Sequence, residues 1–239
     1  MKILIQNLQK QSGLAGELVE EHHPDLMLAQ EINLSSEDPK YHFDQACFVS
    51  KRLGYGTAIG AIPQGDSTEG LLDNVCRVES PHAEAGGWIT KKTTIADYHH
   101  SIHKTDQDSN CIVECISFHG YNGTPFRRYE EYLVDHVRAV LGKVRSSGQA
   151  IFAGDFNTWT PEHLARVSDE MAKHGFEHAY SWEYPNSTLT LDHVFLRELK
   201  LESATNYACK SDHRGAIVEN DNRGIKYSTL TPPYNTDDT

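Results

Sequence analysis

A chain of 239 residues that is 38% hydrophobic and 23% charged can bury a sizeable core, and this balance suits neither a disordered nor a membrane-spanning chain. The formal net charge of −12 disfavours passive binding to a polyanion, which draws on Lys and Arg contacts with phosphates. No apolar run approaches the ~20 residues that cross a bilayer, and MKILIQNLQKQSG carries no signal-peptide core, so a cytoplasmic location is expected.

In chain order, KILIQN at 2–7 reads as a short strand closed by polar residues. Ser12 is placed to cap a helix from Leu14 to Glu21, which HHPD ends, and DLMLAQE at 25–31 is the next strand, closed by Gln30-Glu31. The stretch LGYGTAIGAIPQGDSTEG holds five glycines and a proline, so a strand is expected within TAIGAI and a mobile loop over PQGDSTEG. GGWITKKTTIADY and NCIVECISFHG read as two paired strands, the second ending at His119. Arg127 to Arg145 carries helical spacing, with Tyr132, Leu133, Val137, Val140, Leu141 and Val144 on one apolar face.

IFAGD at 151–155 is a strand that breaks at Gly154, and Thr160-Pro161 opens a helix running to about His174. TLTLDHVFL and GAIVE alternate as strands, and the tail from 221 to 239 is expected to be partly disordered. Strands and helices mix, with several strand-after-strand passages and no linker, which favours one α+β layered domain over residues 1–220. The five cysteines are an odd count suited to a reducing compartment. On one strand face Cys111 and Cys115 would stand roughly 13 Å apart, too far to bridge.

Six apolar runs end in, or contain, a small polar signature: QN at 6–7, QE at 30–31, FHG at 118–120, GDFN at 154–157, LDHVF at 191–195 and SDH at 211–213. Singly most are bland, since a lone Asn is usually a turn residue and a lone Glu a solvated strand end. GDFN is sharper, and the fixed order of all six is sharper still. HHSIH at 99–103 has no neighbouring cysteine pattern and reads as loop composition rather than a zinc site.

Through Asn7, Gln30-Glu31, His119, GDFNTW, LDHVF and SDHRG the chain resembles the endonuclease/exonuclease/phosphatase superfamily, from Asn7 to about Glu219. GDFNTW and SFHGYNG…RRYEEYL are similar to a compact bacterial branch of it. The resemblance implies a deoxyribonuclease I-like four-layered α/β sandwich, two packed mixed β-sheets flanked by helices. It also implies hydrolysis of phosphoester bonds with Mg2+ or Mn2+.

Such hydrolysis needs a hard cation with oxygen ligands. Glu31 is the first choice of ligand, matching the family pattern, and Asp212 is a candidate second ligand. Asp155 would orient or deprotonate the attacking water. Asn157 would hold a phosphate oxygen or that water, and Asn7 would hydrogen-bond the same cluster; amides bind without adding repulsive charge. His213 would stabilise charge or move a proton, oriented by the family-matched Asp192.

His119 is similar to the second histidine of the deoxyribonuclease branch, which assists the leaving group and pairs with a glutamate, here Glu79 or Glu84. His193 is expected to point away as a structural residue. Arg127 either contacts substrate phosphate or lies on a solvated helix face, and Trp159 either walls the site or caps the core.

The leading expectation is a nuclease acting on nucleic acid, with a phosphatase or phosphodiesterase for a small metabolite or lipid head group as the alternative. A non-catalytic binding module is the third reading, disfavoured because the polar set is complete. No membrane partner is expected, and a monomer is the default.

Overall fold

The computed structural model describes residues 1–37, 39–41, 43–62, 71–84, 89–104, 107–122 and 129–221. Among these, two six-stranded sheets pack face to face. The elements of the first half are β1 (Lys2–Asn7), α1 (Leu14–His22), β2 (Leu26–Ile32), β3 (Ala46–Val49), β4 (Gly56–Ala61), β5 (Leu72–Glu79), β6 (Lys92–Lys104) and β7 (Gln107–His119). The second half adds α2 (Tyr129–Leu141), β8 (Ala150–Asp155), α3 (Pro161–Ala172), β9 (Glu177–Glu183), β10 (Thr190–Arg197), β11 (Lys200–Tyr207) and β12 (Gly215–Asp221). One sheet runs β11-β12-β1-β2-β4-β3 and the other β5-β6-β7-β8-β10-β9.

The period-2 geometry of a strand sorts its side chains into the layers. Ile3, Ile5, Leu26 and Leu28 meet Val113, Cys115, Ile151 and Ala153 between the sheets. The alternate residues Leu4, Met27 and Ala29 face outward onto Leu14, Ala15, Leu18 and Val19 of α1. On the other side Ile116, Phe118 and Phe152 pack under Leu133, Val137 and Val140 of α2 and Val167 and Met171 of α3. Because both faces are covered, the central strands read as continuous apolar runs. The expected four-layered α/β sandwich is present.

Several local expectations change. Helix α1 is preceded by Gly13 at φ +72° with no side-chain cap, so Ser12 does not cap it. Strand β6 begins at Lys92 and continues through HHSIH to Lys104, paired residue by residue with β7, so those histidines are strand and not loop. The strand over GAIVE extends to Asp221, one residue into the expected tail; the rest of that tail, the expected loop over PQGDSTEG and Arg127 lie outside the described residues. Thr160 does cap α3, accepting from the His163 N–H, with Pro161 following. The cysteines are free. Among the described residues no helix is long and apolar enough to cross a membrane.

Candidate active site

Two parallel pairings bring the polar strand ends to one edge. In β1 and β2 Asn7 lies opposite Gln30, and in β7 and β8 His119 lies opposite Asp155. Antiparallel β10 then sets Asp192 opposite Asp155 on its other side. The SDH segment precedes β12, which pairs with β1, so Asp212 and His213 arrive at the same rim.

Local backbone aims these groups. Gly154 has φ +138°, and a Cβ there would stand 2.2 Å from the Phe118 carbonyl oxygen and 2.8 Å from Gln30 Nε2. The glycine of GDFN is therefore required both for conformation and for close approach. Asn157 is left-handed at φ +55°; its N–H donates to Asp155 Oδ1 at 2.9 Å and its Nδ2 to the Gly120 carbonyl at 3.1 Å. Glu31 is left-handed as well, φ +51°, at a register shift between β2 and β4. Non-glycine residues in this region cost on the order of 1–3 kcal/mol and a bulge re-aims its side chain, so two strained positions coincide with two site residues.

Asp155 is the hub. Its Oδ2 accepts from Asn7 Nδ2 at 3.0 Å and lies 3.7 Å from the Nε2 atoms of both His119 and His213. His213 Nδ1 meets Asp192 Oδ2 at 2.8 Å. Burial disfavours the His213 cation, but Asp192 and Asp155 outweigh it and push its pKa up to about 10. His119 runs the other way: burial, the Lys91 ammonium and the charge of His213 hold it well below the ordinary imidazole range. Lys91 Nζ sits 2.6 Å from His119 Nε2.

Glu31 joins the cluster through His119, Oε1 to Nε2 at 3.7 Å, while its other oxygen takes Lys10 Nζ at 2.9 Å. Lys10 also covers the Tyr55 ring at 4.3 Å. The exposed rim carries Asp212, 3.5 Å from the Tyr184 hydroxyl, and the Tyr184 ring stands edge-on to His213. Trp159 is 38% exposed and donates from Nε1 to Asn122, so it does not cap the core.

The glutamate expected on His119 is absent from that contact. Glu79 pairs with Lys92 at the surface, and Glu84 reaches the ring only through Lys91, 3.6 Å from its Nζ. His193 is a buried structural residue, sharing hydrogen bonds with Thr158 and His178. Lys91 and Lys10 are the site residues that sequence reasoning missed. No pattern in TKKTTI marks Lys91, which precedes β6 and lies outside its paired register with β7.

The donor set suits a hard divalent cation. Asp155, Asp192 and His213 bring one ligand atom each within 4.8 Å of one another; with His213 held protonated the carboxylates are the donors, and among the described residues the buried Oδ1 of Asp192 has no hydrogen-bond partner. Glu31 adds a carboxylate that already attracts an ammonium. Oxygen-rich sites of this kind match Mg2+ or Mn2+ rather than thiophilic metals.

Comparisons with known proteins bear on the family and the fold. A UPF0294 protein of Vibrio cholerae is 33% identical over 110 residues, covering 43% of this chain and 38% of that protein, so the matched part spans about two fifths of the relative's length. Danio rerio TDP2, solved with a single-strand DNA product, superposes with a TM-score of 0.60 at 16% identity, covering 92% of this chain and 98% of the other. A Bacteroides thetaiotaomicron mannosyl-6-phosphatase gives a TM-score of 0.58 at 15% identity, covering 92% and 99%. At such identities the structures establish the shared fold alone. The family model for "Endonuclease/Exonuclease/phosphatase family" matches residues 6–213, the whole span from Asn7 to His213, and the chain belongs to that family.

Proposed function

We propose that this chain hydrolyses phosphoester bonds with Mg2+ or Mn2+, and that its first substrate class is the phosphodiester of nucleic acid. The carrying observation is that Asn7, His119 and His213, from three distant chain segments, converge on one carboxylate oxygen of Asp155. Buried polar groups are costly to gather without a task, and titratable groups with displaced pKa values cluster at functional sites.

Glu31 and, from the rim, Asp212 are the proposed carboxylate ligands. When bound, the cation neutralises charge on the phosphoryl oxygens. Asp155 aligns the attacking water and accepts its proton. Asn157, locked by its bond to Gly120, offers an uncharged grip on a phosphoryl oxygen. The protonated His213, fixed by Asp192, stabilises the negative charge that grows as the phosphorus becomes five-coordinate. Trp159 flanks the substrate, and Arg127 is a proposed phosphate contact.

The net charge of −12 favours a second reading, a phosphatase or phosphodiesterase of a small phosphorylated metabolite, since a long polyanion gains little from an acidic surface. A panel of plasmid, single-stranded DNA, RNA and phosphomonoesters, with and without Mg2+, separates the two. Nucleic-acid cleavage supports the first and turnover of monoesters alone the second. Binding without turnover of any kind moves the chain to a non-catalytic module.

A further inference from the structure

We propose that Lys91, and not His119, is the group that protonates the leaving oxygen, and that His119 serves as the acceptor that positions it. This rests on the phosphoesterase reading above and adds a residue to it.

The argument is one of donors and acceptors. An ammonium has three N–H donors and no acceptor. A contact of 2.6 Å between Lys91 Nζ and His119 Nε2 therefore makes Nε2 the acceptor and places the ring proton on Nδ1. The ring nitrogen that faces Asp155 and Glu31, each at 3.7 Å, is thus a lone pair engaged by Lys91 and has no proton to give. The acidic hydrogen in that contact belongs to Lys91 itself.

The lysine is built in rather than loose. It is 9% exposed, and it leans on Glu84, whose carboxylate lies 3.6 Å away and is itself tied down by the Asn122 N–H at 2.8 Å. One hydrogen points to His119 and one toward Glu84, which leaves the third for a substrate oxygen. Lys91 lies just before β6, whose register with β7 starts at Thr93–Phe118, and its side chain arrives at the end of β7 where His119 stands.

The step balances as follows. Water oxygen bonds to phosphorus as the ester P–O bond breaks. The water proton goes to Asp155, the departing oxygen takes one proton from Lys91 Nζ and leaves as an alcohol, and solvent carries the Asp155 proton back to the lysine amine.

Leaving-group chemistry tests this directly. A nitrophenolate departs without a proton, whereas an alkoxide needs one. With Mg2+, Lys91→Met should lower kcat/KM on thymidylyl-thymidine by roughly a hundredfold while leaving the p-nitrophenyl ester of thymidine 5′-phosphate within about threefold. His119→Gln, which keeps an acceptor, should retain most of the thymidylyl-thymidine rate that His119→Leu loses. Equal losses on both esters in Lys91→Met, or no loss on either, overturn the proposal.

Long-range proton–nitrogen NMR of the metal-free wild type supplies a readout independent of turnover. A proton on Nδ1 with a bare Nε2 is expected at His119, and a protonated Nε2 overturns the proposal whatever the rates. A wild type idle on both esters overturns the phosphodiester reading instead, and the acid role argued on it falls with it.

Discussion

His119 and His213 stand at the same 3.7 Å from the same oxygen of Asp155, and both are buried. Their second partners differ. His213 backs onto the carboxylate of Asp192, and His119 meets the ammonium of Lys91. One ring is held charged and the other neutral. Residue type and distance to the hub therefore do not decide what a histidine does here; the group behind it does. The pairing of a cation on one side with an uncharged acceptor on the other gives a single carboxylate two electrically distinct neighbours.

The comparison breaks most completely when its shared partner is removed. Asp155→Ala should lower the phosphoesterase rate by roughly a hundredfold or more, as should Glu31→Ala. A wild-type rate in either variant, measured on the preferred ester, retires that residue's role. Asp192→Asn sharpens the contrast by taking the carboxylate from His213 alone. NMR titration of that ring should then show its pKa falling from about 10 toward 6.5, and turnover should drop by about tenfold or more. An unmoved titration would mean that Asp192 does not hold the charge.

Stability in the absence of metal should separate the two rings by sign. The folded pKa of His213 is raised, so its contribution is complete below 6.5 and is lost as pH climbs toward about 10. The melting-temperature advantage of wild type over His213→Gln should shrink across that window. The pKa of His119 is lowered, so the unfolded chain binds a proton there that the fold refuses, and folding is penalised as pH falls below 6.5. His119→Gln should therefore lose less stability than wild type in acid, and parallel acid curves would contradict the neutral assignment. The smallest effect belongs to the rim: Trp159→Ala should alter KM by a few-fold with little change in kcat.

The core of this architecture was legible because it is buried on both faces. Strands β1, β2 and β8 are runs of apolar residues in sequence that close on polar residues, and β10 alternates around Asp192-His193. Strands β3, β5, β9 and β11 went unread, and these four are the edges of the two sheets. Each is largely half-buried or exposed, as in KLESATNY of β11, so neither alternation nor an apolar run stands out.

The same physics hid Lys91. In TKKTTI two adjacent lysines read as solvated surface, and only tertiary contacts tell them apart, Lys91 reaching His119 while Lys92 pairs with Glu79. The expected glutamate on His119 failed for a related reason. Sequence offers Glu79 and Glu84 as acids but cannot reveal that Lys91 stands between Glu84 and the ring.

The most direct test is a Mg2+ titration of the initial rate on the best ester of the panel, repeated after EDTA and with Asp155→Ala. Turnover that rises with Mg2+, vanishes on chelation and is nearly lost in the variant is the predicted result. Turnover that ignores EDTA, or survives intact without the Asp155 carboxylate, would contradict the account.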